Sequence, residues 1–453
     1  MNFTIVAHAT LRLEHCGTSV LVDPWLFGEC YDRSWMLLGD PVDIASWRDA
    51  PRWLLYSHAH PDHFHVPTLR ALAARFGTDL RILIPRQFSD RLANALRGLG
   101  FRHVVEASPG HRVQLGESFS VTFHPVRGDD SVQVFRAGDF VLVNGNDCRL
   151  EDRALARLAE TYRGVDFYLG QHSIGDGYPF RLDGIDAAAR AAAATEPVMR
   201  FVRQAAALEA RCAVPVASAF RFCHVDNASM NEWHTTLDRL NPQMSQALRV
   251  LYPGDGWDER SGFESDKKHE DDYRRSVAAV RDGTASCLSR EDPPLPVEVE
   301  AAAAARWAHV FSSLPALMRR RMKPLAFHLD DLGRSLTVEW DLCRLTWSNA
   351  LPDVPHYRLG ARHFLNVCES PQGFSTLHIG SRFTVHGWQA NDAVDVFLPV
   401  SVFYSLGYFD RGPLSYLHPR ALSEMWARRS DIADALPRLL RLRSAPGEHF
   451  WRL

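Results

Sequence analysis

The run His58-Ala59-His60-Pro61-Asp62-His63 places three imidazoles and a carboxylate within six positions. Imidazole nitrogen and carboxylate oxygen together suit zinc, iron and manganese. The run directly follows an apolar, strand-like stretch, Trp53 to Tyr56. Alternate residues at a strand end face one side, so His58 and His60 can grip one ion. Pro61 turns the chain, and Asp62 and His63 precede the next helical pattern, where they can face a second ion. A chance cluster in a His-bearing loop would not need a strand before it and a helix after it.

Such a run needs a framework to hold it. Apolar residues cluster or alternate at 3–8, 11–15 and 19–23, ending at Asp23-Pro24, which predicts a strand meander. Strand 53–57 carries the histidines. Helix 66–76, strand 81–85, helix 88–98 and strand 103–106 then alternate in the α/β manner. A second half follows, with strands at 111–115, 119–124, 131–136 and 140–144, helix 149–161 and strand 166–170. A helix-rich stretch from Asp186 to Ala210 leads into a strand from Val214 to Phe222. The long loop after the meander holds Trp25, Phe27, Tyr31, Trp35 and Trp47, which either cover a pocket or pack the loop onto a sheet.

Three regions follow from this reading: a metal domain over 1–245, a linker or irregular segment over 246–299, and a smaller α+β domain over 300–453. The middle region is turn-rich and charged and ends in Glu291-Asp292-Pro293-Pro294-Leu295-Pro296. In the last, Trp340, Trp347, Phe374, Phe383, Trp388, Phe403 and Tyr404 read either as a wall of the substrate pocket or as that domain's own core.

From residue 1 to about 240 the chain resembles the metallo-β-lactamase superfamily, on the H-x-H-x-D-H run and its setting. That resemblance implies an α/β fold of the αββα sandwich type, with metals at the sheet edges. It also implies further ligands. A bridging aspartate is Asp147, at the end of Phe140 to Asn144; its plain role would be to cap a helix near Arg149. A final histidine is His224, with His172 as its competitor; His172 could instead support the metals or handle substrate. Hydrolases of the superfamily usually place a histidine in the loop after strand 119–124. Here that loop reads Arg127-Gly128-Asp129-Asp130, and His124 comes early, on the strand, so Asp129 or Asp130 is the expected ligand. The metal set is then His58, His60, Asp62, His63, Asp129 or Asp130, Asp147 and His224, with Asp62 and His172 expected in catalysis.

A carboxylate in place of that histidine favours iron over zinc, because anionic oxygen stabilises higher oxidation states. The chain also resembles the metal-binding part of the CMP-N-acetylneuraminate hydroxylase group, on Asp23-Pro24-Trp25-Leu26, the histidine run, Asn146-Asp147-Cys148 and Gln171-His172-Ser173. Among superfamily members, the diiron β-hydroxylase of chloramphenicol biosynthesis carries an acidic residue at this place. The expectation is two metal ions, iron before zinc or manganese, and an oxygenase acting on a small molecule. No C-x-H…C-x-x-H Rieske pattern occurs in these residues, so electrons would come from an external donor or the substrate. The alternative is a dizinc hydrolase of a lactone, amide or phosphodiester, in which the metals activate hydroxide. A non-catalytic metal-binding protein fits less well, since His/Asp ligands leave an open position that closed cysteine sites do not.

Composition narrows the partners. A formal net charge of −3 gives no reason to expect nucleic acid or an acidic membrane surface. The eight cysteines are scattered without a C-x-x-C pair, which fits a reduced, cytoplasmic setting. Met1 to Val6 reads as a first strand rather than a signal peptide, and Ala187 to Ala194 as a soluble helix. Nothing in the sequence specifies an oligomeric state.

Overall fold

The computed structural model of the chain describes residues 1–126, 130–150, 152–320, 322–387 and 417–429. Its first 264 residues build two facing sheets. The first has eight strands, in the order Gly262–Glu264, Gly256–Asp258, Asn2–Ile5, Leu11–His15, Thr18–Val22, Trp53–Leu55, Arg81–Pro85 and His103–Ala107. The second has six: Cys212–Val216, Phe167–Gln171, Phe140–Asn144, Ser131–Ala137, Phe119–Pro125 and Arg112–Gly116. Inward-facing residues of both, among them Phe3, Leu13, Val20, Leu55, Phe119, Phe123, Phe135 and Leu169, form one buried core. Such face-to-face burial of alternating apolar residues drives sheets together.

Helices cover both outer faces. Val66–Phe76 and Arg91–Gly98 bury leucines against the first sheet. Asp152–Tyr162 buries Leu155 and Leu158, and Ala187–Ala207 buries Phe201 and Ala205, against the second. The architecture is the αββα sandwich expected of the sequence.

Two expectations are corrected. The segment 246–299 is not a plain linker: Gly256–Asp258 pairs with Asn2–Ile5, and Lys267–Arg281 is a helix that buries Tyr273 and Val277. The strand expected from Val214 to Phe222 is broken. Ala217 takes a left-handed backbone, and Phe220–Phe222 leaves the second sheet to pair with Trp35–Leu37.

The C-terminal region adds a five-stranded sheet, ordered Arg344–Ser348, Arg334–Glu339, Leu325–Leu329, His356–Leu359 and Thr384–His386. Helices Pro296–Ser313, Ala361–Glu369 and Gly373–Gly380 close its core around Trp307, Phe327 and Tyr357. Trp340, Phe374 and Phe383 belong to that core, and Trp347 packs on it. Trp388, Phe403 and Tyr404 lie outside the described residues. Tyr178 and Leu182, from the sandwich, enter the same core.

Candidate metal centre

The topology brings chemistry to one edge of the sandwich. Thr18–Val22 and Trp53–Leu55 run parallel, so Asp23 and the run from Ser57 onward emerge at the same end. Asp147 follows Phe140–Asn144, and Asp130 precedes the antiparallel Ser131–Ala137, which puts both at one end of the second sheet. The carboxyl ends of parallel strands are where α/β sheets generally place ligands.

Among the described residues three compact donor sets occur there: His58, His60 and Asp130; His58, His63 and Asp147; and His8, Asp62 and His63. His58 Nε2 lies 2.8 Å from His60 Nδ1, and 3.8 Å from both Asp130 Oδ1 and Asp147 Oδ2. His63 Nε2 lies 3.3 Å from Asp62 Oδ2 and 3.6 Å from Asp147 Oδ1. With metal bonds of about 2.0–2.2 Å, two donors on one ion stand roughly 3–3.5 Å apart. The donor spacings, from 2.8 to 3.8 Å, lie on either side of that range, and Asp147 turns one oxygen toward each histidine group.

Supporting hydrogen bonds fix which ring nitrogen faces inward. Asp23 sits in the left-handed region, which aspartate tolerates better than most residues. Its carboxylate accepts from the Ser57 backbone N–H and hydroxyl, both at 2.7 Å, and lies 3.0 Å from His63 Nδ1. Ser57 Oγ also meets His58 Nδ1 at 2.9 Å. Both rings are thereby held through Nδ1, which leaves Nε2 to point into the cluster. The Tyr31 hydroxyl donates a short hydrogen bond to Asp62 Oδ1.

The electrostatics ask for a cation. His63 Nε2 and Asp147 Oδ1 are buried without a hydrogen-bond partner. Burial, reinforced by the neighbouring His63 and His58 respectively, lowers the pKa of His58 and His60 despite nearby carboxylates, keeping them neutral donors. Burial and the charge of Asp147 push the Asp130 carboxyl upward. Burial also opposes the Asp147 charge, but His58 and His63 outweigh it and hold that group low. Burial opposes a charge on His63, but Asp62, Asp147 and Asp23 outweigh it and raise that imidazole well above its ordinary value, so the carboxylates draw positive charge to the place an ion would take. The residues present therefore fit two metal ions.

Other expected residues do not join the cluster, or lie outside the described residues. Asp129 is among the latter. His124 Nε2 is 2.8 Å from the Tyr162 hydroxyl, away from the metals. His224 is a correction: both its nitrogens are engaged elsewhere, Nδ1 at 3.2 Å from Asp226 Oδ2 and Nε2 at 3.1 Å from the Ser289 carbonyl. The strand break at Ala217 carries it off the metal edge. His172 does stand near that edge, fully buried, with a ring that burial keeps neutral; it lies within electrostatic reach of His8 and His234 but in none of the three donor sets.

Sequence reasoning missed His8 and the supporting Tyr31, Ser57 and Asp23. His8 is 2 % exposed, and its Nε2 lies 3.1 Å from Asp62 Oδ2. One signal was available: in a meander, Leu11 pairs with Val22, so the turn at His8 must share an edge with Asp23.

The C-terminal region reaches this edge. Gln372 donates to the Ala59 carbonyl at 2.9 Å, inside the histidine run itself. A cleft of about 920 Å³ opens beside it, lined by Tyr31, Ala59 and Pro61 from the sandwich and by Asn366, Gln372 and Thr376 from the C-terminal helices. Helix Pro419–Ala427 docks nearby: Glu424 pairs with Arg86 at 2.5 Å, and Arg420 bonds Asp90 and Glu106.

Residues 2–145 match the family model for the β-lactamase superfamily domain. A Mycobacterium tuberculosis (strain H37Rv) protein named as a Rieske 2Fe-2S iron–sulfur protein is 30 % identical over 194 residues, 40 % of this chain and 36 % of that one. The cytidine monophosphate-N-acetylneuraminic acid hydroxylase of Pongo pygmaeus is 37 % identical over 76 residues, 17 % of this chain and 13 % of that one. The chain thus spans little more than a third of the length of the first of these relatives and about an eighth of the second. Among solved structures, CmlA, a diiron β-hydroxylase from Streptomyces venezuelae, is 22 % identical with a TM-score of 0.35, covering 64 % of this chain and 52 % of that one. A metallo hydrolase from Ignicoccus hospitalis is 13 % identical with a TM-score of 0.40, covering 56 % of this chain and 96 % of that one. No described helix is long and apolar enough to cross a membrane.

Proposed function

We propose that the chain is a diiron oxygenase acting on a small organic molecule, with His58, His60 and Asp130 at one ion, Asp62 and His63 at the other, and Asp147 between them. The observation that carries this reading is Asp130, whose Oδ1 faces His58 Nε2 at 3.8 Å in one compact set with His60. Together with Asp62 and Asp147 it makes the site rich in anionic oxygen, which favours iron in higher oxidation states. The stretch that is 37 % identical to a cytidine monophosphate-N-acetylneuraminic acid hydroxylase supports the same class. When bound, reduced iron would supply electrons to dioxygen.

The chain's own residues hold the reaction in place. Ser57 and Asp23 orient the imidazoles, Tyr31 holds Asp62, and the cleft beside Ala59 and Gln372 gives a small substrate room. In an oxygenation, one oxygen atom enters the substrate and the other leaves as water. Two electrons and two protons are then needed; the 453 residues carry no Rieske pattern to relay the electrons, so an external donor is part of the proposal.

The test is to load the chain with ferrous iron, reduce it, admit oxygen and follow oxygen consumption, with a zinc-loaded sample beside it. Oxygen uptake by the iron sample alone, increased by a small-molecule substrate, is expected. Full turnover of a lactone, amide or phosphodiester by zinc-loaded chain without oxygen or reductant would establish the hydrolase instead.

A further inference from the structure

We infer that His8 is a metal ligand: its Nε2 joins Asp62, His63 and Asp147 on the second ion and supplies the terminal imidazole that neither His224 nor His172 provides. The inference rests on the two-metal reading above and extends it to a residue outside the histidine run.

Position comes first. His8 lies in the turn between Asn2–Ile5 and Leu11–His15, at the sheet edge that also presents Asp23 and Ser57. The turn is pinned from both sides: Val6 N–H donates to the Thr10 carbonyl at 2.8 Å, and Ala217 N–H donates to the His8 carbonyl at 2.8 Å. The left-handed Ala217 therefore has two effects, carrying His224 away and fixing His8 in its place.

The ring is aimed as a ligand would be. It is 2 % exposed and stands edge-on to Trp25, Trp35 and Phe220, with centroids 5.4, 6.4 and 5.5 Å away. These rings leave it little freedom to turn. Its Nε2 is 3.1 Å from Asp62 Oδ2, the oxygen that also faces His63 at 3.3 Å, while Tyr31 occupies Asp62 Oδ1. Two donors about 3 Å apart suit neighbouring positions on one ion with bonds of about 2 Å. The competing role is a plain hydrogen bond from His8 that positions Asp62. His172 lies within electrostatic reach of His8 but in no donor set with Asp62.

The experiment counts zinc and, separately, ferrous iron per chain by mass spectrometry, with zinc titrations for affinity, in wild type, His8→Ala, His8→Gln and His172→Ala. Two ions are expected in wild type and His172→Ala, and one in both His8 variants. The second-ion affinity should fall by more than the roughly 10–100-fold that follows loss of a supporting side chain. Glutamine keeps a donor for Asp62, so rescue by His8→Gln would reduce His8 to a positioning residue and overturn the inference. Two ions in both His8 variants would overturn it as well, leaving the two-metal reading intact. A wild type that never takes more than one ion would overturn both together. If the variants fail to fold, the wild type loaded with cadmium-113 decides: a nitrogen–cadmium coupling at the His8 ring is expected, and its absence refutes the assignment.

Discussion

At the scale of single residues, the site divides into donors and the groups that aim them. Tyr31 is the clearest of the latter. Its hydroxyl holds Asp62 Oδ1 and so leaves Oδ2 to face His63 and His8. Tyr31→Phe keeps the buried ring but frees that oxygen. Metal affinity at the second ion should fall by roughly 10–100-fold with the fold intact, read by zinc titration; an unchanged affinity would show that Asp62 needs no such support. The histidine run was legible in the sequence because its four donors are nearly consecutive and their strand is too. Asp147 was legible because it ends an apolar strand. His8 was not, because it is a lone histidine in Val6-Ala7-His8-Ala9-Thr10 whose neighbours become visible only once three strands pair.

Whole elements were easier to read than their ends. Leu11–His15, Val66–Phe76, Arg81–Pro85 and Phe140–Asn144 fall where periodicity puts them, because buried leucines, valines and isoleucines repeat at the period of each element. The break at Ala217 was hidden, since Val214 to Phe222 is apolar almost throughout, and its proline, Pro215, lies within the strand Cys212–Val216 rather than at the bend. That single break decided the fate of His224. The turn that presents Asp147 has a sharper requirement. A Cβ at Gly145 would lie 2.7 Å from the Tyr168 hydroxyl and 3.1 Å from the Leu169 carbonyl. Tyr168 is buried and donates to Gln204 Oε1 at 2.6 Å, so it cannot simply give way. Gly145→Ala should cost about 1–3 kcal/mol through overpacking and lower metal occupancy along with it. Chemical denaturation measures the first; an unaltered midpoint would contradict the close approach.

For the molecule as a whole, the C-terminal region is bound to the sandwich by charge as well as by its shared core. Arg382, 2 % exposed, donates to the Asp32 carbonyl at 2.7 Å and to Glu291 at 3.0 Å, while His363 meets Asp32 at 2.5 Å. Arg382→Ala takes one partner from each, leaving Glu291 with Arg33 and Asp32 with His363, and should destabilise the chain by roughly 1–3 kcal/mol. Partial burial opposes the Glu291 charge, but Arg382 and Arg33 win and hold its carboxyl at about 2. A carboxyl lowered on folding stabilises fully above its unfolded value of about 4.3 and loses that contribution as pH falls toward the folded one. Thermal melts of wild type should therefore drop between about pH 4.3 and pH 2, and Glu291→Gln should flatten that drop; identical pH curves would remove Glu291 from the account. Such docking was only half visible in the sequence, which offered aromatics but not the buried charges that join distant segments.

These three scales meet in one claim, that the sandwich edge holds two ions in a carboxylate-rich set. Metal analysis of the chain purified gently, without added metal, tests it most directly. The account predicts two ions per chain, mainly iron, falling when Asp147→Ala removes the oxygens that face both histidine groups. Fewer than one ion per chain, or a full complement that survives Asp147→Ala, would contradict it.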